Sequence, residues 1–293
     1  MEKHTALRKS RIMMISSMTI FGTLALFVRN IPVSSSEIAL YRAVMAMVLI
    51  GIYFLITGQK IDFRAIRKEL PLLLASGVAM GFNWILLFEA YRYTTVSVAT
   101  LSYYFAPVIV TVACPILFRE KMGVKQWLCF VMSTIGIVLI TGIGDLSGSN
   151  THFTGIAFGL GAAVLYASVI LLNKFIKGVA GVQRTFLQFV AAVVTLLPYV
   201  AFTGGFHLAA LNAVGWINLL IIGIVHTGIT YCLYFSALKD IPGQEAAILS
   251  YIDPLMAVIV SVFLLGEGFT LLQLIGSALI LGFTLYNEIK TEN

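Results

Sequence analysis

The sequence contains few charged residues. Asp, Glu, Lys and Arg together make up 11% of its 293 residues, whereas a soluble domain is normally about 25% charged. An ordinary soluble domain is therefore excluded. The chain is 59% hydrophobic, with a mean hydropathy of +0.97, so lipid must surround most of it. At about 20 apolar residues per crossing, the length accommodates about ten membrane helices. The apolar runs are continuous rather than alternating, which excludes an outer-membrane barrel.

Cysteine is also scarce. Cys114, Cys129 and Cys232 all lie inside apolar runs. Their spacing fits neither a metal site nor a disulfide framework, so we expect packing residues, no metal and no cofactor. The net charge of +6 would suggest nucleic acid for a soluble protein. Here the basic residues lie in loops, where they set orientation in the membrane, and we expect no nucleic-acid partner.

Ten apolar segments predict ten transmembrane helices. They run roughly over 11–29, 35–56, 70–91, 95–118, 124–143, 154–174, 183–203, 213–236, 243–265 and 270–287. The short connections leave no room for a soluble domain. If the N-terminus is inside, only Arg29 and Arg92 among the basic residues lie outside, so both termini are predicted to be cytoplasmic. The first segment is followed by no cleavage pattern and is interpreted as an uncleaved span.

A hidden duplication relates the two halves of the chain. When the sequence is shifted by about 147 residues, identical residues align at several places, among them Tyr104 with Tyr251, Pro107 with Pro254, and Glu120 with Glu267. We therefore predict two repeats, 1–148 and 149–293, with five spans each. Because five is odd, the second repeat must enter the membrane inverted. Inverted repeats are typical of alternating-access transporters, whose site lies near the midplane between the repeats.

These residues carry a family resemblance. Tyr104-x-x-Pro107 followed by Glu120, Tyr251-x-x-Pro254 followed by Glu267, and Gly22 in the first span resemble the EamA-type branch of the drug/metabolite transporter superfamily. The resemblance implies a ten-helix fold with a central cavity lined by helices 1, 3, 4, 6, 8 and 9, and with helices 5 and 10 as scaffold or interface. Members export amino acids and other small metabolites, or carry sugars and nucleotide conjugates. Phe21 and Tyr166 stand where such proteins often have Trp.

Asp253 is the strongest candidate for a binding residue. It lies near the centre of the ninth span, where an ionisable residue indicates a functional site. Ala106 occupies the matching place in the first repeat, so the shared fold does not require the acid. We expect Asp253 to bind a substrate amine or a proton in a cavity. The alternative is a carboxyl that only bonds a neighbouring helix. Pro107 and Pro254 kink their helices and free backbone carbonyls, which a cavity, a substrate or another helix must satisfy.

Two further polar sites are predicted. Arg42 lies about 10 Å inside the second span, where a guanidinium can bind a carboxylate through two hydrogen bonds. The alternatives are that it extends to the outer surface or pairs with Glu37. His226 and Thr230 are four residues apart in the eighth span and share a helix face. We expect them in the polar site, with His226 a second candidate proton site beside Asp253, unless the histidine is only structural.

Aromatic residues recur at helical spacing. Trp84, Tyr104, Tyr231 and Tyr251 lie deep enough to line a cavity, where their hydroxyl and indole N–H groups would need partners. Packing or an interfacial belt accounts for most of the others, Tyr91 included. Such a lining suits an amphiphilic metabolite with an apolar side chain.

The sequence therefore predicts a secondary transporter, exporting amino acids or related small metabolites across the inner membrane of a bacterial cell as a monomer or homodimer. Its partners would be the substrate and the lipid bilayer. A proton-coupled multidrug or cation exporter is a weaker alternative, because residues 12–28 lack the glutamate expected in that group. An integral-membrane enzyme is weaker still, because the sequence shows no nucleophile–base arrangement and no carboxylates at metal spacing.

Overall fold

The computed structural model describes residues 2–58, 61, 66–118, 123–140, 150–176, 178–179, 181–237, 241 and 249–288. These residues contain no strand and form helical segments that we label α1 to α10. Their bounds are α1 Glu2–Gly22 with Leu24–Val28, α2 Ser35–Thr57, α3 Leu70–Tyr93, α4 Val96–Tyr103 with Ala106–Phe118, α5 Val124–Ile140, α6 Asn150–Phe175, α7 Gly181–Thr203, α8 Ala213–Leu220 with Ile221–Ile229 and Thr230–Ala237, α9 Ile252–Ile259 with Val260–Leu264, and α10 Leu271–Glu288. Glu120 and the start of the predicted ninth span lie outside the described residues.

Within the part of the chain that the structure describes, six helices are long and apolar enough to cross a membrane, judged by length and composition. They are Leu7–Val28, Ser35–Thr57, Leu70–Tyr93, Val96–Ala113, Thr151–Phe175 and Gly181–Thr203. Shorter apolar helices cover Val124–Ile140, Ala213–Ile229, Ile252–Leu264 and Leu271–Tyr286. Large apolar side chains such as Phe202 and Leu55 point outward, 90% and 84% exposed, as a lipid-facing surface requires. The all-helical membrane fold is thus confirmed, while the number of crossings stays a prediction.

Local sequence sets several helix ends. Ser34 starts α2 with a capping box, because its hydroxyl accepts a bond from the Glu37 amide (3.2 Å) and the Glu37 carboxylate accepts one from the Ser34 amide (3.3 Å). Gly58 follows α2 with φ +66°, a conformation that glycine adopts without strain. Thr95 and Asn212 cap the first turns of α4 and α8 in the same way as Ser34.

Helices α4 and α9 are broken at matching places. Regular helix in α4 stops at Tyr103 and resumes at Ala106, one residue before Pro107. In α9, Tyr251 is a turn residue and helix resumes at Ile252, two residues before Pro254. Proline in a first turn is tolerated, since that amide has no partner within the helix. Each proline therefore stands just after a break in its helix.

The contacts between the two halves occur in equivalent pairs. Helix α1 packs on α8 and α9, as α6 packs on α3 and α4; α2 meets α8, as α7 meets α3. The equivalent helices α4 and α9, α2 and α7, and α5 and α10 pack on each other. At the α5–α10 contact, a Cβ on Gly136 would lie 2.7 Å from the Gly276 carbonyl oxygen, and one on Gly276 would lie 2.6 Å from the Gly136 carbonyl oxygen. Such reciprocal contacts are typical of a two-fold relation.

Candidate functional site

A cavity of about 160 Å³ lies between the two halves; we call it the central cavity. Its wall comes from α1, α2, α3, α4, α6, α8 and α9, which adds α2 to the helices that the resemblance implies. Of the predicted site residues, it brings together Arg42, Trp84, Tyr104, Tyr231 and Asp253. The central cavity therefore holds one basic and one acidic side chain within an aromatic wall.

Arg42 supplies the positive charge. The residue is 3% exposed, and its Nε donates to Thr227 Oγ1 over 3.0 Å. The guanidinium carbon lies 4.7 Å from the centre of the Trp84 ring, within cation–π range. No Asp or Glu oxygen of the described residues lies within 4.0 Å of an Arg42 nitrogen. Glu37 instead accepts bonds from Ser34 and from the backbone amide of His207 (2.6 Å). Arg42 thus neither reaches the surface nor pairs with Glu37.

Asp253 supplies the negative charge from the first turn of the regular helix in α9, where the helix dipole favours a carboxylate. Its Oδ2 accepts a hydrogen bond of 2.6 Å from the Tyr104 hydroxyl. That bond joins the two halves across the broken parts of α4 and α9. Gly22 makes room for this geometry, because a Cβ at this position would lie 2.5 Å from the Asp253 carbonyl oxygen.

A second cavity of about 190 Å³ adjoins the central one. Pro107, Ile170, Ser250 and Tyr251 line only this second cavity. Both cavities are lined by Tyr103, Tyr104, Tyr166 and Asp253. We call these four residues the partition. Two predicted residues, Tyr251 and Pro107, thus lie beyond the partition, and Pro254 is buried.

On the opposite side, a vestibule of about 900 Å³ opens between the ends of α1, α2 and α3 and the segment after α7. Tyr91 lines both the vestibule and the central cavity. Arg29 holds this region together: Nε donates to the Tyr91 carbonyl (2.9 Å), Nη2 to the Thr94 carbonyl (2.6 Å), and Nη1 to Glu267. Glu267 also accepts from the Val96 amide (2.8 Å). This set of contacts, the outer clamp, ties α1, α3 and α4 to the end of α9.

His226 and Thr230 line neither of the two cavities. His226 is 1% exposed, and its Nε2 lies 2.9 Å from the Thr23 hydroxyl. The Thr230 hydroxyl donates to the Val225 carbonyl, five residues earlier, over 2.7 Å. The reason is local: residues Ile221–Ile229 form a π-helix, in which each turn contains more residues than an α-helical turn. The spacing used for the prediction therefore does not describe this stretch.

Several cavity residues were absent from the sequence prediction. Tyr103 and Tyr166 complete the partition, with ring centres 5.2 Å apart. Tyr91, for which the sequence favours packing or an interfacial belt, lines the cavity. Asn83 also lines the central cavity, and its side-chain amide donates to the Ala162 carbonyl (2.6 Å). Asn83 was detectable as a polar residue within an apolar span, whereas the positions of the tyrosines depend on which helices meet.

An all-helical membrane fold around a cavity that holds one acidic and one basic side chain is typical of a membrane transport protein for small molecules. The sequence profile of the EamA-like transporter family matches the chain twice, over residues 8–142 and 153–287. The chain therefore belongs to the EamA-like transporter family, within the drug/metabolite transporter superfamily. The family resemblance is thereby confirmed.

Similar proteins support this assignment along most of their length. The uncharacterized transporter YxxF of Bacillus subtilis (strain 168) is 32% identical over 280 residues, 95% of this chain and 88% of the relative. An uncharacterized transporter of Archaeoglobus fulgidus is 29% identical, covering 94% of both chains. The inner membrane transporter YicL of Salmonella typhimurium, also uncharacterized, is 27% identical over 85% of this chain and 83% of its own. These names are those of transporters, so the prediction of a transporter rather than an enzyme is confirmed.

One solved crystal structure shows the same fold. It superposes with a TM-score of 0.64 at 16% sequence identity, and the match covers 94% of this chain and 95% of the other. At this identity the likeness concerns the fold alone.

Proposed function

We propose that the protein is a secondary transporter that exports amino acids or related small zwitterions across the bacterial inner membrane. The main support is that Arg42 and Asp253 line one cavity without forming an ion pair. A buried charge is expensive unless it is paired. A substrate with a carboxylate and an ammonium group would pair with both residues at once.

The chemistry of each charged residue supports one end of such a substrate. Thr227 accepts a hydrogen bond from Nε of Arg42. Among the described residues, no hydrogen bond is found to the other two guanidinium nitrogens, Nη1 and Nη2. A carboxylate binds a guanidinium fork well. Asp253 accepts from Tyr104 through Oδ2, which leaves Oδ1 for an ammonium group. The rings of Trp84 and Tyr231 would contact an apolar side chain.

The size of the two cavities and the positive charge of Arg42 disfavour the alternative of a cation exporter. Cavities of about 160 and 190 Å³ are smaller than the roughly 300–1,000 Å³ typical of drug-sized ligand sites. Arg42 would also repel a cationic drug from the central cavity. A zwitterion meets no such repulsion. Asp253 remains the proposed proton site if export is coupled to protons.

Alternating access fits the arrangement of the vestibule, the central cavity and the second cavity. We propose two inverted five-helix halves, 1–148 and 149–293, with both termini in the cytoplasm and ten membrane crossings. The vestibule would then face outward and the second cavity inward, with the central cavity near the midplane. The direction of transport is inferred from the family resemblance alone.

The test is transport of radiolabelled leucine in proteoliposomes, with and without a pH gradient. Asp253→Asn and Arg42→Gln each remove one charge-assisted contact of about 1.5–3 kcal/mol, and should weaken leucine binding about 10- to 150-fold. The matched controls are Glu89→Gln and Arg92→Gln, a pair of 3.3 Å at the vestibule end of α3. These controls remove one negative and one positive charge outside the central and second cavities, and should transport leucine as the wild type does.

Wild-type leucine affinity in both Asp253→Asn and Arg42→Gln would contradict the proposed site. Loss of leucine transport in the controls as well would point to a general effect of charge on folding. Each variant is therefore checked for wild-type amounts of folded protein by size-exclusion chromatography.

A further inference from the structure

The partition separates the central cavity from the second cavity. Its four residues, Tyr103, Tyr104, Tyr166 and Asp253, line both. Any solute passing from one cavity to the other must therefore move past them. Three of the four are tyrosines, whose rings pack on one another: the Tyr103 ring lies 5.7 Å from that of Tyr104 and 5.2 Å from that of Tyr166.

The Tyr104–Asp253 hydrogen bond is the polar link in this layer. At 2.6 Å it has the length of a hydrogen bond to a charged oxygen, which is roughly twice as strong as a neutral one. It also crosses between the halves, from α4 to α9. Opening a passage through the partition by moving α4 away from α9 would break this bond.

The bond sits where the two helices are easiest to bend. Tyr104 lies in the interruption of α4 between Tyr103 and Ala106, and Asp253 lies in the first turn after the interruption of α9. Helix kinks commonly arise at prolines, and Pro107 and Pro254 follow these two interruptions. The link therefore joins two segments that can change direction without unfolding their helices.

The second repeat cannot make an equivalent link. The sequence match places Tyr251 at the position of Tyr104 but Ala106 at that of Asp253. The position equivalent to Asp253 therefore carries no carboxylate. Of these two aligned places, only that of Tyr104 and Asp253 combines a tyrosine with an acid, and the bond lies in the partition between the two cavities.

We propose that Tyr104 is a gating residue. Its bond to Asp253 keeps the partition closed. The ammonium group of a substrate in the central cavity first contacts Oδ1 and then competes with the Tyr104 hydroxyl for the carboxylate, which opens the partition. The competition step rests on the proposed function, whereas closure by Tyr104 does not. Substrate binding and release of the gate would then be one event.

The test measures access of a membrane-impermeant thiol reagent to a cysteine in the central cavity. The three native cysteines are replaced by alanine, and Met80→Cys places the reporter in the central cavity wall. Because the second cavity is proposed to face the cytoplasm, inside-out vesicles are chosen to present it to the reagent. Tyr104→Phe removes only the hydroxyl, and should raise the labelling rate about tenfold or more, as expected for loss of a hydrogen bond to a charged group.

Two controls isolate the gate from general loosening. A reporter at Ile170→Cys lies in the second cavity, before the partition, and should label at the same rate with Tyr104 or with phenylalanine. Tyr199→Phe makes the same change on a half-exposed tyrosine outside the three cavities, and should leave labelling at Met80→Cys unchanged. Equal labelling at Met80→Cys with and without the Tyr104 hydroxyl would overturn the proposal.

The effect of leucine on labelling distinguishes failure of the gating proposal from failure of the proposed function. Leucine should speed labelling at Met80→Cys when Tyr104 is present and have little further effect in Tyr104→Phe. If leucine is transported but leaves the labelling rate unchanged, the competition step is wrong. If leucine is neither transported nor effective, the proposed substrate class fails, and the Tyr104→Phe comparison without leucine still decides whether Tyr104 closes the partition.

Discussion

Replacing Gly22 with alanine should damage the site without removing a polar side chain. The new Cβ would lie 2.5 Å from the Asp253 carbonyl oxygen and 2.5 Å from Met256 Cβ. Carbon atoms in contact normally lie about 3.5–4.0 Å apart, so α1 and α9 would have to separate by about 1 Å. Overpacking of this kind costs about 1–3 kcal/mol. Because the strain falls on the first turn of α9, it also displaces the Asp253 carboxylate.

The assay combines thermal unfolding in detergent with leucine transport. Gly22→Ala should lower both the midpoint of unfolding and the transport rate. Gly282→Ala in α10 is the matched control, because a Cβ there meets nothing within 4 Å. In a helix, alanine is favoured over glycine by roughly 0.5–1 kcal/mol, so this control should be as stable as the wild type or more so. A Gly22→Ala protein with wild-type stability and transport would refute the close approach of α1 to α9.

Three other substitutions test separate contacts. Gly136→Val should lower the midpoint of thermal unfolding, since its side chain would collide with the Gly276 carbonyl oxygen between α5 and α10, at a cost of about 1–3 kcal/mol; an unchanged midpoint would contradict that packing. Glu267→Gln should weaken the outer clamp, which involves Arg29 and the Val96 amide, by about 1–3 kcal/mol, measured as faster heat inactivation of transport. His226→Gln should lower stability but leave the affinity for leucine within about twofold, since a structural contact adds nothing to binding; a large change in affinity would return His226 to the site.

The membrane fold was accessible from the sequence because apolar length and repeat offset are properties of the chain itself. The long apolar runs predicted the helices, and the match of Pro107 with Pro254 predicted the matching breaks in α4 and α9. Asp253 was found for the same reason, as an acid inside an apolar run. None of these inferences required knowledge of which helices meet.

The composition of the cavity wall was harder to predict, because it depends on helix rotation and on partners distant in sequence. His226 and Thr230 were placed by α-helical spacing, whereas the chain forms a π-helix there. Nothing in the sequence near Arg42 indicates that Thr227, 185 residues away, would hold it in the cavity. Tyr166 joins the partition only because α6 packs on α4.

Competition between close analogues of leucine measures the central claim most directly. Isopentylamine keeps the ammonium group, 4-methylpentanoate keeps the carboxylate, and leucine has both. If Arg42 and Asp253 bind the two ends of one molecule, unlabelled leucine should block uptake of labelled leucine at concentrations about tenfold or more below those needed for either analogue. Equal inhibition by leucine and isopentylamine would show that Arg42 takes no part in recognition and would contradict a zwitterion site.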